Sequence, residues 1–242
     1  MEVGNHSGGY DAFHVDITNS LDTGHEIMLE VTDPTQTRPI PVGKQWSGEP
    51  REDFMRFIFY TSTSGVWQSV WMEPLVDGAV EKVSYNPNID RASVKVSIST
   101  NTGAQEDMDI EIHDGSTLIQ KSTIKSNEEM ELTLGPNFKT WSPEDPFLYD
   151  VIIKTSSGDC VKSYFGMRKI EMRPEGDFQR VFLNNKKLEF QIGLLDQGYW
   201  PDGLMTPPTE EAMKWDIEMT KRMGYNMIRK HIKLESRQDN IP

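Results

Sequence analysis

The stretch Leu194-Leu195-Asp196-Gln197-Gly198-Tyr199-Trp200-Pro201-Asp202-Gly203, with Gly224-Tyr225-Asn226-Met227-Ile228-Arg229-Lys230-His231 after it, decides the fold of the C-terminal part of this chain. Leu194 and Leu195 close an apolar run that starts at Ile192, the composition of a strand covered on both faces. A polar-aromatic loop follows. Thr209, behind Pro207-Pro208, is placed to cap a helix, and Glu210 and Glu211 fall in its first turn, where the helix dipole favours carboxylates. Met213, Ile217, Thr220 and Gly224 share one stripe, Lys221 and Arg222 occupy the last turn, and Gly224 is the stop signal. Asn226 to His231 reads as the next strand. Strand, loop, helix and strand together make a parallel unit, and parallel α/β sheets and barrels hold their ligands on the rim where the first loop and the end of the second strand lie.

Working outward, Gln179 to Leu183 and Lys186 to Gln191 flank Asn184-Asn185, a two-residue turn of a type whose side chains tolerate positive φ, so a hairpin leads into the parallel unit. Between Gly78 and Met172, Val94, Val96 and Ile98 alternate with Lys95 and Ser97, and Met108, Ile110 and Ile112 alternate with Asp109 and Glu111. Each set marks a half-buried strand. Further runs at Leu118 to Ile124, Glu131 to Leu134, Leu148 to Ile153 and Ser163 to Ile170 bring the total to about seven, the count of an immunoglobulin-like sandwich without its cysteine pair. Nearer the start, Phe13 to Ile17, Glu26 to Val31, Phe57 to Tyr60 and Val66 to Trp71 read as four short strands. A jelly roll uses about eight.

The expected architecture is therefore mainly β. A partial jelly-roll β-sandwich occupies residues 1–76, an immunoglobulin-like β-sandwich 77–173, and the first β-α-β unit of a truncated (β/α)8 barrel 174–242. A barrel of that kind needs about 250 residues. The closing Ser236-Arg237-Gln238-Asp239-Asn240-Ile241-Pro242 lacks the amphipathic pattern expected of a second barrel helix.

Composition narrows the function classes. With 25 Lys and Arg against 38 Asp and Glu the net charge is -13, and no basic run offsets it, so nucleic acid is not an expected partner. No apolar run reaches the roughly 20 residues of a membrane span, and the opening Met1-Glu2-Val3-Gly4-Asn5-His6 lacks the basic and apolar parts of a signal peptide. The single cysteine, Cys160, and five scattered histidines give no metal-ligand spacing, and no cofactor motif appears.

Four blocks of sequence, in order, resemble glycoside hydrolase family 2, the group of β-galactosidases, β-glucuronidases and β-mannosidases. Gly4-Asn5-His6-Ser7-Gly8-Gly9-Tyr10-Asp11-Ala12-Phe13 with Ser64-Gly65-Val66-Trp67-Gln68-Ser69-Val70-Trp71 is similar to the late part of that family's N-terminal jelly roll. Trp141-Ser142-Pro143-Glu144-Asp145-Pro146-Phe147-Leu148-Tyr149 and Tyr164-Phe165-Gly166-Met167-Arg168-Lys169-Ile170 are similar to the closing strands of its immunoglobulin-like domain, and Phe182-Leu183-Asn184-Asn185-Lys186 leads toward its barrel. The resemblance implies a segment of a retaining exo-β-glycosidase acting on a carbohydrate substrate. Full-length members are often periplasmic or secreted.

In that family the two catalytic carboxyl groups are glutamates on later barrel strands, so none is expected in this chain, which by itself is expected to be inactive. Retaining glycosidases hold that pair about 5 to 5.5 Å apart. The acid/base follows an asparagine, and the one Asn-Glu here, Asn127-Glu128, falls in a polar turn of the second sandwich. What the resemblance does imply is a substrate-binding rim of Asp196, Trp200, Arg229 and His231. Asp196 ends the first barrel strand and either accepts hydrogen bonds from sugar hydroxyls or caps its own loop. Trp200, with Tyr199, either stacks on a sugar ring or packs beneath the loop. Arg229 and His231, two apart on a strand, share a face directed at the barrel mouth. Trp46, Trp67 and Trp71 read as packing residues rather than a lectin surface, and Cys160 as an inert turn residue. Two other readings stay open: a non-catalytic carbohydrate-binding or adhesion protein built on the sandwiches, and a truncated gene-model product without independent activity.

Overall fold

A computed structural model describes residues 2–23, 26–34, 39–46 and 59–232. Strands and helix run in the order β1 (Val80–Asn88), β2 (Ser93–Thr100), β3 (Asp107–Asp114), β4 (Thr117–Lys125), β5 (Glu129–Thr133), β6 (Tyr149–Thr155), β7 (Cys160–Phe165), β8 (Ile170–Glu175), β9 (Phe178–Leu183), β10 (Lys186–Lys187), β11 (Gly193–Asp196), α1 (Glu210–Arg222) and β12 (Met227–Lys230). The chain divides into two compact units, one of Met72–Glu189 and one joining Met1–Trp71 to Phe190–Arg237.

The unit of Met72–Glu189 is a two-sheet sandwich with an appended hairpin. One sheet has the order β1-β2-β5 and the other β4-β3-β6-β7. That makes seven strands; the six runs read from the sequence fall on β2 to β7, with β4 on the side of β3, β6 and β7, and β1 is the seventh. The period-2 pattern explains the core: Val94, Val96 and Ile98 of β2 and Met108, Ile110 and Ile112 of β3 point inward from the two sheets and meet Ile124, Leu132, Tyr149, Val151 and Ile153. Each of these side chains is buried. Tyr149 donates no charge to this interior, since its phenol oxygen accepts the Lys139 N–H at 2.7 Å, and burial raises its pKa. β1 escaped the sequence pattern because Lys82, Asn86 and Pro87 interrupt its apolar residues and a bulge lies between Val80 and Lys82. The strand read as Ser163 to Ile170 is two strands, β7 and β8, separated at Gly166, where a Cβ would press on the Trp141 side chain at 3.1 Å.

The Asn184-Asn185 hairpin forms as the sequence predicts. Both residues adopt positive φ, 50° and 64°, and Leu183 faces Lys186 across the turn. Asn184 is also a clamp: its Oδ1 accepts the Lys169 N–H at 3.0 Å and its Nδ2 donates to the Trp141 carbonyl at 2.8 Å. The second arm is shorter than expected, because pairing ends at Lys187 and a separate strand, β11, begins at Gly193.

In the other unit, the four strands read between Phe13 and Trp71 do not form among the described residues. Phe57 and Ile58 of the third lie outside them. A strand exists by its hydrogen-bonded neighbour, and the described segments have one bridge only, Gln45 to Tyr60. The apolar side chains that carried the alternation stand in solvent: Met28 is 87% exposed and Val70 80%. Trp71, read as a packing residue, is exposed, whereas Trp67 is half-buried and donates its indole N–H to the Gly9 carbonyl at 2.8 Å.

The parallel unit itself matches its sequence closely. β11 and β12 pair in parallel, with Gly193 opposite Met227 and Asp196 opposite Lys230, and α1 crosses between them. Gly193 is required here, since a Cβ would collide with the Met227 carbonyl of the neighbouring strand. Thr209 caps α1 by accepting the Ala212 N–H at 3.1 Å, and Gly224 reverses the chain at φ 86°. Of the apolar stripe on α1 only Thr220 is buried; Met213 and Ile217 are exposed. Residues Ser236 to Pro242 lie outside the described part.

Candidate site at the rim of the parallel unit

The rim is built from the end of β11, its following loop, and the end of β12, with loops of the N-terminal segment laid against them. Asp196 closes β11. Its Oδ1 accepts the Gly198 N–H at 2.6 Å, fixing the loop, and its Oδ2 pairs with the Lys230 ammonium. Its own carbonyl accepts the His231 N–H at 2.8 Å, extending the parallel pair by one residue. Of its two sequence readings, the geometry displays the capping one.

Register divides the four predicted residues between two faces. Asp196 stands opposite Lys230 and shares its face, while Arg229 stands opposite Leu195 on the other. His231, two residues beyond Arg229, follows the Arg229 side by the same alternation. Arg229 is exposed and His231 half-buried. Trp200 is half-buried and held by an antiparallel bridge to Leu204, with hydrogen bonds of 2.8 and 3.1 Å in the two directions. Tyr199 is already stacked, its ring centroid 4.0 Å from that of Tyr60 and the two rings nearly parallel.

Several residues at this rim were not singled out from sequence. Tyr60 is one. Gln45 is another: it is buried, its Oε1 accepts the Thr63 N–H at 2.7 Å, and its Nε2 reaches the Tyr10 phenol oxygen at 3.3 Å. Burial raises the Tyr10 and Tyr199 phenols, so both stay protonated hydrogen-bonding groups at neutral pH. Gly43 abuts the end of β12, where a Cβ would lie 2.9 Å from the Ile232 carbonyl. Thr206, in the loop after β11, donates to the Trp67 carbonyl at 2.7 Å, 139 residues away in sequence. Contacts of that span leave no local signal.

Asn127-Glu128 is a turn device. Asn127 sits at φ 63°, its Nδ2 donates to the Gly103 carbonyl at 3.1 Å, and Glu128 accepts from Gln105 at 2.6 Å. Cys160 is exposed at the start of β7. Among the described residues no three His, Cys, Asp or Glu side chains gather as a metal site, and no helix is long and apolar enough to cross a membrane.

Comparison with known proteins agrees with this architecture. Residues 78–168, the sandwich, match the family model of glycosyl hydrolases family 2. Over 94% of its length the chain is 25% identical to a β-galactosidase of Thermoanaerobacter pseudethanolicus, of which it covers 31%. A β-galactosidase large subunit of Leuconostoc lactis is 30% identical over 42% of this chain and 17% of its own. Among solved structures, a Ruminococcus gnavus β-glucuronidase in complex with uronic isofagomine superposes on 62% of this chain and 24% of its own with a TM-score of 0.50 at 18% identity, a likeness of fold. Through its sandwich the chain is thus similar to glycosyl hydrolases family 2. It spans about a third of the length of the T. pseudethanolicus relative.

Proposed function

We propose that this chain is part of a retaining exo-β-glycosidase that removes terminal β-linked sugars from a carbohydrate substrate. On this reading residues 1–76 contribute a partial jelly roll, 77–173 the immunoglobulin-like sandwich, and 174–242 the first β-α-β unit of a (β/α)8 barrel. The observation that carries it is the parallel pairing of β11 with β12 through α1, in a chain whose sandwich matches a glycosidase family. In a barrel, the ends of such strands are where catalytic and binding side chains stand.

The roles follow from the register. Arg229 and His231, on one face at the end of β12, meet sugar hydroxyls or the charge on the substrate, and Trp200 offers an apolar ring surface. Asp196, through the Gly198 N–H and the Lys230 ammonium, holds the loop that carries Trp200. The reaction itself requires a protonated carboxyl group to release the leaving group and an ionised one to attack the anomeric carbon, giving a glycosyl-enzyme that water then hydrolyses. We place both carboxylates outside this chain. Incubating the chain with a panel of aryl β-glycosides tests that placement: no release above the buffer blank is expected, and turnover by these 242 residues would refute it.

A further inference from the structure

The loop that carries Trp200 is held from outside its own β-α-β unit. Tyr199 stacks on Tyr60, the ring centroids 4.0 Å apart and the planes 4° from parallel. At the other end of the loop the Thr206 hydroxyl donates to the Trp67 carbonyl at 2.7 Å, and Trp67 is itself fixed by its indole N–H on the Gly9 carbonyl at 2.8 Å. These two tethers bracket Trp200, and both run to the N-terminal segment. The Asp196 contact to the Gly198 N–H anchors the start of the loop, and the tethers anchor the stretch beyond it.

Between the tethers the backbone is wound tightly. Trp200 and Leu204 exchange hydrogen bonds of 2.8 and 3.1 Å, the Thr206 N–H donates to the Gly203 carbonyl at 2.8 Å, and a Cβ on Gly203 would collide with the Thr206 carbonyl. Leu204 stands at φ 53°, in the left-handed region that a leucine side chain disfavours. Such a residue keeps its conformation only where its surroundings over-determine it, and conformations of this kind collect at ligand clamps. Released from its tethers, the loop would relax to a commoner backbone and carry the Trp200 ring with it.

We propose that Tyr60 and Thr206 are positioning residues for the Trp200 ring. Through the Tyr60 stack and the Trp67 carbonyl, the N-terminal segment sets the shape of the loop and thereby the affinity of the rim for sugar. The inference rests on the reading of Trp200 as a sugar-facing ring and adds what holds it in place. For Tyr60 the ring acts and not the hydroxyl, because the contact is face to face. For Thr206 the hydroxyl acts.

The test uses the full chain and its Tyr60→Phe, Tyr60→Leu and Thr206→Val variants. The heteronuclear NOE of the amides from Tyr199 to Thr206 is measured without sugar, and affinity is then read by NMR titration with methyl β-galactoside. Tyr60→Phe keeps the stack and should match the wild type in both. Tyr60→Leu should lower the loop NOE and weaken binding about fivefold or more, the worth of an aromatic pair. Thr206→Val, which keeps the side chain's shape, should lower the NOE and weaken binding about twofold to tenfold, the worth of one hydrogen bond. Thr206 is exposed, so its variant decides the matter if Tyr60→Leu unfolds the segment around it. Loop rigidity and affinity unchanged in both Tyr60→Leu and Thr206→Val would overturn the proposal, and so would a Tyr60→Phe as weak as Tyr60→Leu. A wild type that binds no sugar, while Tyr60→Leu frees the loop, would overturn the sugar-facing reading of Trp200 and leave the tethers standing.

Discussion

Removing one buried hydroxyl should change how the sandwich responds to alkali. Tyr85 lies on β1 with its ring 5.2 Å from that of Phe165, and burial pushes its phenol up to about 12, the nearby Ser163 hydroxyl offsetting only part of that. Among the described residues neither the Tyr85 nor the Ser163 hydroxyl meets hydrogen-bond geometry with a partner, so the influence of Ser163 on the phenol is that of a long, weak contact. In the unfolded chain the phenol ionises near pH 10. Between about pH 10 and 12 the unfolded state therefore holds fewer protons than the folded one, so stability falls as pH rises through that window and is unaffected by this group below it. A displacement from 10.0 to about 12 corresponds to about 3 kcal/mol at most. Tyr85→Phe abolishes this contribution. It should be neutral or stabilising by up to about 1 kcal/mol at pH 7, since an unsatisfied buried hydroxyl costs free energy. Urea unfolding of both proteins at pH 7, 9, 10 and 11 is the assay, read as the difference between them so that other buried phenols such as Tyr149 cancel. By pH 11 the wild type should have lost about 1 kcal/mol more than the variant. Parallel profiles up to pH 11 would refute the reasoning.

Ile110→Ala, at a fully buried position of β3, should cost about 2 to 5 kcal/mol in the same assay with an unchanged denaturant slope. Asn184→Gly keeps the positive φ but loses both clamp hydrogen bonds, for about 1 to 3 kcal/mol, and Asn184→Ala should cost about 1 kcal/mol more because its Cβ disfavours that φ. Thr209→Ala removes the cap of α1 and should lower the helical signal of the C-terminal part with a cost of about 0.5 to 2 kcal/mol.

What sequence disclosed, and what it concealed, follows from the range of the interactions. The sandwich strands, the Asn184-Asn185 turn and the capped helix are written in local terms: a period of two, a residue that tolerates positive φ, a threonine ahead of two glutamates. Apart from β1 and the break between β7 and β8, they appear where the pattern puts them. The N-terminal alternation at Phe13 to Ile17 and Glu26 to Val31 has no ladder, because alternation describes a face and not the neighbour that must pair with it. The rim shows the same limit. Arg229 and His231 could be placed together from strand period alone, but the stacking of Tyr60 on Tyr199 and the burial of Lys44 join positions far apart in sequence. Register supplied one further fact that spacing did not contain: Asp196 faces with Lys230 and not with Arg229.

The end of β12 is the proposed sugar-facing rim. Its most direct test is a heteronuclear NMR titration of the chain with a methyl β-glycoside, following the backbone amides and the His231 ring. Shifts concentrated at Trp200, Arg229 and His231 are the predicted result. Shifts confined to the sandwich between Trp141 and Arg168, or none at saturating sugar, would contradict it.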